Sequence, residues 1–308
     1  MAAKSSAKSS KKDPVNAPVS GGVAKGAKSS KRKLSVAAAV EPPPKQLTLE
    51  ERWSSLQERL AKAEPEFQKA YQESLDMSWI YHDSALEGSV YTPVELRSAV
   101  DQPDPASPTF AVGTDSSIQP ICEEIRRHRE ALDYIRDFAA QSAKKRMPVT
   151  IDVVKKIYLI LHPEEGDIKT VKYRKDIPQH RLYFHEYAPP DKITYKVRQI
   201  LDWTNDPETR RTRSAVRIAA RAHYDLLRVF PFTSDSGKVA RLFMNLLLLK
   251  NGFPPAIVHS TERQRYYEAL KGASAVMTQI VHESIENNLA SVEKLLEAHE
   301  SKGYAVKV

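Results

Sequence analysis

The chain has 308 residues, and its 47 Lys and Arg against 39 Asp and Glu give a formal net charge of +8. The first 47 residues contain ten basic and two acidic residues, whereas the other 261 residues contain 37 of each kind. This distribution argues against a basic face that covers the whole domain, and it leaves the N-terminal tail as the segment that would contact a polyanion.

Cysteine content and hydropathy exclude further classes of protein. Cys122 is the only cysteine, which excludes an intramolecular disulfide and a Cys-based zinc site and favours a reducing compartment. No apolar run reaches the roughly 18–20 residues that span a bilayer, and the start of the chain lacks the apolar core of a secretory signal. We therefore expect a cytoplasmic protein without membrane contact, or a nuclear one if the source is a eukaryote.

Residues 1–47 consist largely of Ala, Ser, Lys, Gly and Pro. Such a segment cannot bury enough apolar surface to offset the entropy of ordering it, so we predict a disordered basic tail. The Ser-Lys-Arg-Lys run at residues 30–33 suits a nuclear import patch or an arm that touches nucleic acid, and a solubilising tail is the simpler explanation.

Helical periodicity dominates the rest of the chain. Thr48 and Glu51 form a capping-box pattern at the start of the first helix, and Gly88 suits the end of the second. The apolar spacing predicts helices over residues 48–60, 67–86, 93–100, 121–139, 151–161, 193–203, 215–229, 242–249 and 281–296. Residues 181–185 form a short aromatic segment with β propensity, and the Ala-Pro-Pro run at residues 188–190 ends it. This pattern predicts a two-stranded flap. The predicted fold is mainly α.

Residues 229–241 read V-F-P-F-T-S-D-S-G-K-V-A-R and lead into the most apolar predicted helix. A helix N-terminus offers backbone N–H groups and the positive end of the helix dipole, which suit a phosphate. Gly237 allows a close approach, and Lys238 and Arg241 lie three residues apart, so both could face one anion. Taken alone the pattern is weak, because it lacks the upstream glycine of a Walker A loop, and an ordinary helix start explains it as well.

The same stretch resembles the signature of the Fic (Fido) family, H-P-F-x-[D/E]-G-N-G-R-x-x-R, aligned with F-P-F-T-S-D-S-G-K-V-A-R. The resemblance extends over roughly residues 65–275. Other segments similar to family members are residues 81–88, 171–174 with 177–190, 222–224, 241–257 and 265–270. Residues 81–88 resemble the N-terminal inhibitory helix, and residues 171–190 resemble the flap. This resemblance implies a tail (1–47), N-terminal helices (48–145) and a helical Fic core with a β-hairpin flap (146–300).

The resemblance also implies a chemistry. Fic proteins transfer AMP, or another phosphate-containing group, to a hydroxyl of a target protein, with ATP and Mg²⁺ as cofactors. The motif His acts as general base, the acidic residue holds Mg²⁺, and the Gly-Asn-Gly segment and arginines hold the phosphates. The protein target would dock at the flap, here carried by Arg174, Leu182, Tyr183 and Phe184. Oligomeric state is left open, with a homodimer as one option.

This sequence departs from the signature at the positions that serve proton transfer and metal binding in the family. Phe230 replaces the His and cannot accept a proton, and Ser234 replaces the Mg²⁺-binding acid. Asp235 stands at a glycine position, from which it could supply the metal carboxylate. Ser236 replaces the Asn, and Lys238 replaces the first Arg and loses its bidentate fork. The family's positioning residues are retained, namely Pro231, Phe232, Gly237 and Arg241.

Glu87 and Arg241 occupy the positions of the family's inhibitory ion pair, with Asp83 at the Ser/Thr position. The alternative is a pair that only stabilises the fold. Tyr266 and Tyr267 stand where family members contact the nucleotide base, and paired aromatics are as often core residues. The histidines near the site are His180 and His185 in the flap segment, interpreted as solvent-facing, and His223, interpreted as packed in its helix.

Three functional hypotheses follow. The first is a degenerate Fic protein that has lost ordinary AMP transfer, retains a nucleotide- or phosphate-binding loop and acts by binding a nucleotide or a protein partner. The second is a rewired transferase, in which Asp235, a flap histidine or the substrate phosphate activates the target hydroxyl. The third is a nucleic-acid or acidic-partner tether that acts through residues 1–47.

Overall fold

The computed structural model describes residues 47–101, 118–145, 147–178 and 186–305, with side chains up to residue 301. The chain divides into two units, Met1–Lys45 and Gln46–Val308, and all of these residues lie in the second. The predicted disordered tail and the flap residues Leu182, Tyr183 and Phe184 lie outside the described residues, as do His180 and His185.

The described residues form eleven α-helices. They are α1 (Leu49–Lys62), α2 (Pro65–Glu87), α3 (Pro93–Asp101), α4 (Gln119–Lys145), α5 (Ile151–Leu161), α6 (Ile193–Asn205), α7 (Pro207–Thr212), α8 (Ala215–Val229), α9 (Ser236–Lys250), α10 (Arg263–Ala269) and α11 (Ser274–Ala305). Single 3₁₀ turns occur at residues 163–165, 190–192 and 260–262.

Helix ends follow the sequence signals. The Thr48 hydroxyl accepts a hydrogen bond from the Glu51 N–H at 3.2 Å, and the Glu51 carboxylate accepts one from the Thr48 N–H at 2.8 Å, which confirms the capping box. Gly88 ends α2 with a φ of 100°, a left-handed conformation that glycine adopts without steric cost. The short helix α7 was missed because its six polar residues show no apolar periodicity.

The core is centred on α9, whose residues from Ser236 to Leu248 are all buried. Helices α8 and α4 pack along it, and α2 and α5 make further contacts. The prediction of a mainly α fold with a central buried helix is confirmed. The described residues contain no β-strand, so the hairpin part of the flap stays a prediction. Over this part of the chain, no helix combines the length and apolar character that a membrane crossing requires.

Candidate functional site

The loop between α8 and α9 has an unusual backbone. Phe230, which ends α8, has a φ of 49°, and Asp235, which precedes α9, has a φ of 46°. Both are therefore in the left-handed region, where a bulky side chain such as Phe is rare and Asp is tolerated. This geometry explains why the family signature has glycine at position 235, because glycine adopts the left-handed conformation without a steric penalty. The loop shape is present although the residue type has changed.

Arg174 holds this loop from outside. Its buried guanidinium donates hydrogen bonds to the carbonyl oxygens of Phe230 (2.6 Å) and Val229 (3.0 Å), and also to that of Ala188 (2.5 Å). The Arg174 N–H donates to the Pro231 carbonyl at 3.0 Å. The residue that was assigned to the flap therefore acts here as a clamp on the loop backbone.

Aromatic packing fixes the side chains at the start of the loop. The ring of Phe230 is 3% exposed and lies 5.0 Å from the ring of Tyr187. Phe232 is fully buried and stacks on Tyr158 with ring centres 4.0 Å apart. Ser236 adds a local tie, since its hydroxyl accepts from the Phe232 N–H at 2.8 Å and donates to the Phe232 carbonyl at 3.0 Å. Position 230 thus holds a packed hydrocarbon ring with no proton acceptor.

Arg241 lies in the second turn of α9 and is paired with two carboxylates of α2. It donates to Glu87 at 2.7 Å, and its Nε donates to the carboxylate of Asp83. A further hydrogen bond of 3.1 Å reaches the Asp83 carbonyl. The side chains of Arg241 and Asp83 are each 3% exposed, whereas that of Glu87 is 16% exposed. Asp83, which the sequence suggested only as a departure from the inhibitory motif, is the more deeply buried partner.

Burial alone would raise the pKa of Asp83, but the charge of Arg241 and the nearby His128 outweigh it and hold the pKa below its usual range. The His128 Nε2 atom lies 3.1 Å from the free oxygen of this carboxylate. Asp83 therefore stays ionised inside the core, between one cation of α9 and one imidazole of α4.

Lys238 is the second cation at this end of α9. Its ammonium lies 2.8 Å from a carboxylate oxygen of Glu124 and 3.2 Å from Oδ1 of Asp235, and its side chain is 4% exposed. Burial would lower the pKa of Lys238, but these two carboxylates raise it, so the lysine remains charged. Lys238 and Arg241 thus have different carboxylate partners, and each is neutralised within the protein.

His162 directly follows the last residue of α5. In the structure its Nε2 atom lies 2.8 Å from Oδ2 of Asp235 and 3.2 Å from Oγ of Ser234, and its Nδ1 atom lies 3.0 Å from Glu164. Burial would lower the pKa of His162, but the hydrogen bonds to Asp235 and Glu164 outweigh it and raise the pKa. Its place before Pro163 was the only sequence signal, and it pointed to a helix end.

Asp235 has both carboxylate oxygens engaged, one by Lys238 and one by His162. Burial would raise its pKa, but these two cationic partners lower it strongly. No group of three or more His, Cys, Asp or Glu suited to a metal ion occurs among the described residues. Mg²⁺ in nucleotide sites is held by one or two carboxylates together with substrate phosphates. Asp235 is the carboxylate that this loop offers, and because His162 and Lys238 engage both of its oxygens, the residues present do not fit the ion.

The two tyrosines that the resemblance placed near the nucleotide base are core residues in this structure, and His223 packs beside them. Tyr266 is fully buried and hydrogen-bonds to Nε2 of His223 at 2.8 Å, while Tyr267 is 4% exposed and donates to the Leu86 carbonyl. His223 is fully buried, and burial together with the Arg241 charge lowers its pKa to about 3. The prediction of a packed histidine at 223 is confirmed.

The comparisons with known proteins concern this same region. Residues 148–248 match the model of the Fic/DOC family. Over 199 residues the chain is 29% identical to a Nematostella vectensis protein named protein adenylyltransferase Fic, covering 63% of this chain and 42% of the relative. Over 202 residues it is 27% identical to protein adenylyltransferase fic-1 of Caenorhabditis elegans, covering 64% and 36%. The chain therefore spans less than half the length of these relatives.

Solved structures agree at the level of the fold. A Fic domain containing signaling protein from Bacteroides thetaiotaomicron VPI-5482 superposes with a TM-score of 0.63 at 19% identity, over 82% of this chain and 98% of that one. Fic-1 from Caenorhabditis elegans superposes with a TM-score of 0.55 at 21% identity, over 79% of this chain and 71% of that one. The family predicted from the signature is confirmed, and the chain carries a Fic/DOC (Fido) domain over residues 148–248.

Proposed function

We propose that this protein is a degenerate Fic protein that acts by binding a protein partner, without the His-dependent AMP transfer of the relatives named protein adenylyltransferase. One observation carries the proposal: Phe230 stands at the position of the general base, and its ring is buried. A general base must accept a proton within hydrogen-bond reach of the reacting hydroxyl. A phenyl ring has no such atom, so the ordinary first step is lost.

The charge arrangement supports the same proposal. The two cations expected to hold the phosphates of ATP are Lys238 and Arg241, and each is paired with carboxylates of the protein itself. A triphosphate would have to displace buried ion pairs, and separating such pairs is costly. Asp235, the remaining candidate for Mg²⁺, is engaged by His162 and Lys238. Nucleotide binding at this loop is therefore expected to be weak in the wild type.

The test combines transfer and binding. Purified protein is incubated with α-labelled ATP, Mg²⁺ or Mn²⁺ and cell lysate, beside a Fic protein with an intact signature as the positive control. The wild type is expected to give background labelling, and calorimetry with ATP is expected to detect no strong binding. Robust label transfer by the wild type would contradict the proposal.

Replacing the lost base sharpens the test. Phe230→His returns an imidazole to the signature, and Phe230→Leu is the matched control that keeps the position apolar. Glu87→Gly is added to both variants, because it removes the more exposed of the two carboxylates on Arg241. Gain of labelling by the histidine variant alone would assign the defect to the base. Labelling by neither variant would assign the defect also to the other changed signature positions, Ser234, Ser236 and Lys238.

One observation favours the rewired transferase as a second candidate. His162 lies 3.2 Å from the Ser234 hydroxyl, on the loop where the lost base would act. Its raised pKa opposes this role, because a general base must be neutral to take a proton. If the wild type does transfer label, loss of transfer in His162→Gln but not in His299→Gln would identify the replacement base. Equal activity of both variants would rule His162 out.

A further inference from the structure

The outer face of α8 is basic, although residues 48–308 together carry no net charge. Residues 207–229 contain six arginines and two acidic residues. On α8 itself, Arg217, Arg221 and Arg228 follow one another at spacings of four and seven residues, so they share one helix face. The opposite face of α8 packs against α9. The cationic face is therefore directed away from the core and takes no part in the signature loop.

This face forms the floor of a polar groove. One part, of about 610 Å³, lies between α6, α8 and residues 186–189. The other part, of about 280 Å³, lies between α6, α8 and the first turns of α11. Trp203, Arg221 and Asp225 line both parts, so the two adjoin into one continuous groove. We call it the α8 groove.

Several cations of the α8 groove are available to a ligand. Arg213 and Arg217 are exposed, and neither side chain has a hydrogen-bond or ion-pair partner among the described residues. Lys196, on the α6 wall, is in the same situation. By contrast, Arg221 is paired with Asp225 at 2.6 Å, and Arg228 donates to the Leu270 carbonyl at 2.8 Å. The groove therefore combines fixed and unpaired cations.

Trp203 adds a second kind of contact. It is half-buried on the α6 wall, opposite the arginine face, at the point where the two parts of the groove meet. Proteins that bind single-stranded nucleic acid combine a cationic groove along the phosphate backbone with aromatic side chains on which bases stack. Arginine also suits phosphate better than lysine, because its planar fork binds two oxygens at once.

We propose that the α8 groove binds single-stranded nucleic acid, with phosphates on Arg213 and Arg217 and a base on Trp203. Four of the five cations that line the groove are arginines, and an aromatic plane stands beside them. This combination favours a nucleic acid over an acidic polypeptide, which has no bases to stack. The groove borders the signature loop through Tyr187 and Val229, but the five cations and Trp203 lie outside that loop. The proposal is tested by oligonucleotide binding, which does not depend on AMP transfer.

The test uses the full chain and an oligothymidylate of about 20 nucleotides, read by fluorescence anisotropy and by tryptophan emission. The other two tryptophans, Trp53 and Trp79, are 8% and 2% exposed, so quenching on binding reports on Trp203. The wild type is expected to bind at about 50 mM salt with quenching, and to weaken as salt rises. Trp203→Phe is expected to lose the quenching and keep the salt dependence.

The double variant Arg213→Glu/Arg217→Glu is expected to weaken oligonucleotide binding at least about tenfold. Because two phosphate contacts are lost, the slope of the logarithm of the association constant against the logarithm of the salt concentration should become less negative by about 1.4. Arg97→Glu/Lys294→Glu is the matched control, because it makes the same charge change at two exposed positions outside the groove. The control is expected to retain the quenching and most of the affinity.

A tail variant separates the two basic regions. Lys31→Gln/Arg32→Gln/Lys33→Gln in the full chain is expected to lower the salt dependence while the tryptophan quenching persists, since residues 1–47 contain no tryptophan. Three results would overturn the proposal. The first is that the oligonucleotide does not bind at low salt, and the second is that only the tail variant reduces binding. The third is that a groove variant loses binding to a labelled poly-glutamate peptide but not to the oligonucleotide.

Discussion

The signature end of α9 and the outer face of α8 use the same residue types in opposite ways. At α9, Lys238 and Arg241 are 4% and 3% exposed in their side chains, and each is paired with two carboxylates. By contrast, Arg217 of α8 and Arg213, which lies two residues before that helix, are exposed and have no side-chain partner among the described residues. A buried cation needs a fixed counter-charge, whereas an exposed one is kept solvated by water. The first pair is therefore neutralised within the protein, whereas the second is exposed to solvent.

The largest expected effect comes from breaking the deepest ion pair. Asp83→Ala removes the more deeply buried of the two carboxylates on Arg241 and leaves Glu87 in place, and a broken buried pair costs about 3–5 kcal/mol. We expect the free energy of unfolding in urea to fall by about that amount. Glu87→Gln, at the more exposed partner, is the comparison and is expected to cost about 1 kcal/mol. Equal losses would contradict the ranking of the two carboxylates.

Lys238→Met is expected to have an intermediate effect. It leaves Glu124 and Asp235 without their shared cation, but Glu124 is 47% exposed and can be solvated. We expect a loss of about 1–3 kcal/mol in the free energy of unfolding. Arg211→Met, which breaks an exposed pair with Glu208, is the control and should change stability by less than about 0.5 kcal/mol. A change as small as the control's would mean that Lys238 is not held as the structure describes.

The pH dependence tests the His162–Asp235 contact. Because the folded-state pKa of His162 is raised, its contribution to stability is fully present below the unfolded pKa and is lost as pH rises through the folded pKa. The stability difference between wild type and His162→Gln, measured in urea, should therefore be larger at about pH 6 than at about pH 8.5. The control His282→Gln is expected to give a difference that changes less with pH. If the stability difference between wild type and His162→Gln instead grew with rising pH, the raised pKa of His162 would be contradicted.

The smallest effect is expected on the α8 face. Arg213→Ala and Arg217→Ala remove exposed side chains without a partner among the described residues, so each should change the free energy of unfolding by less than about 0.5 kcal/mol. Thermal melts would check this with the same samples used for oligonucleotide binding. A loss above about 1 kcal/mol in either variant would mean that the face stabilises the fold and would remove the contrast with α9.

Most of the fold was predictable because its signals are local. Patterns of only a few residues indicate a helix boundary or a buried face. Examples are the capping box at Thr48, the glycine at the end of α2 and the apolar run of α9. The family signature, also local, predicted the loop and its neighbours. Helix α7 was not predictable, because nothing in its six residues alternates between apolar and polar faces.

The site was predictable in part. Glu87 and Arg241 were matched by motif, and they lie in contact. Asp83 and Glu124, the other carboxylates on the two cations, were missed as partners because α2 and α4 approach α9 from more than a hundred residues away in the chain. His162 was missed for the same reason, since only the tertiary fold brings the end of α5 to Asp235. Such contacts depend on helix packing, for which a single sequence gives no register.

The clamp by Arg174 has a consequence for how such a domain can change over time. The loop is held by hydrogen bonds to its backbone carbonyls, from a side chain more than fifty residues earlier, and by the Ser236 hydroxyl. None of these bonds uses the side chains at 230, 234 or 235. Substitutions at those three positions therefore leave these backbone hydrogen bonds in place. For the same reason, the loop is a ready frame on which an engineer could rebuild an active signature one residue at a time.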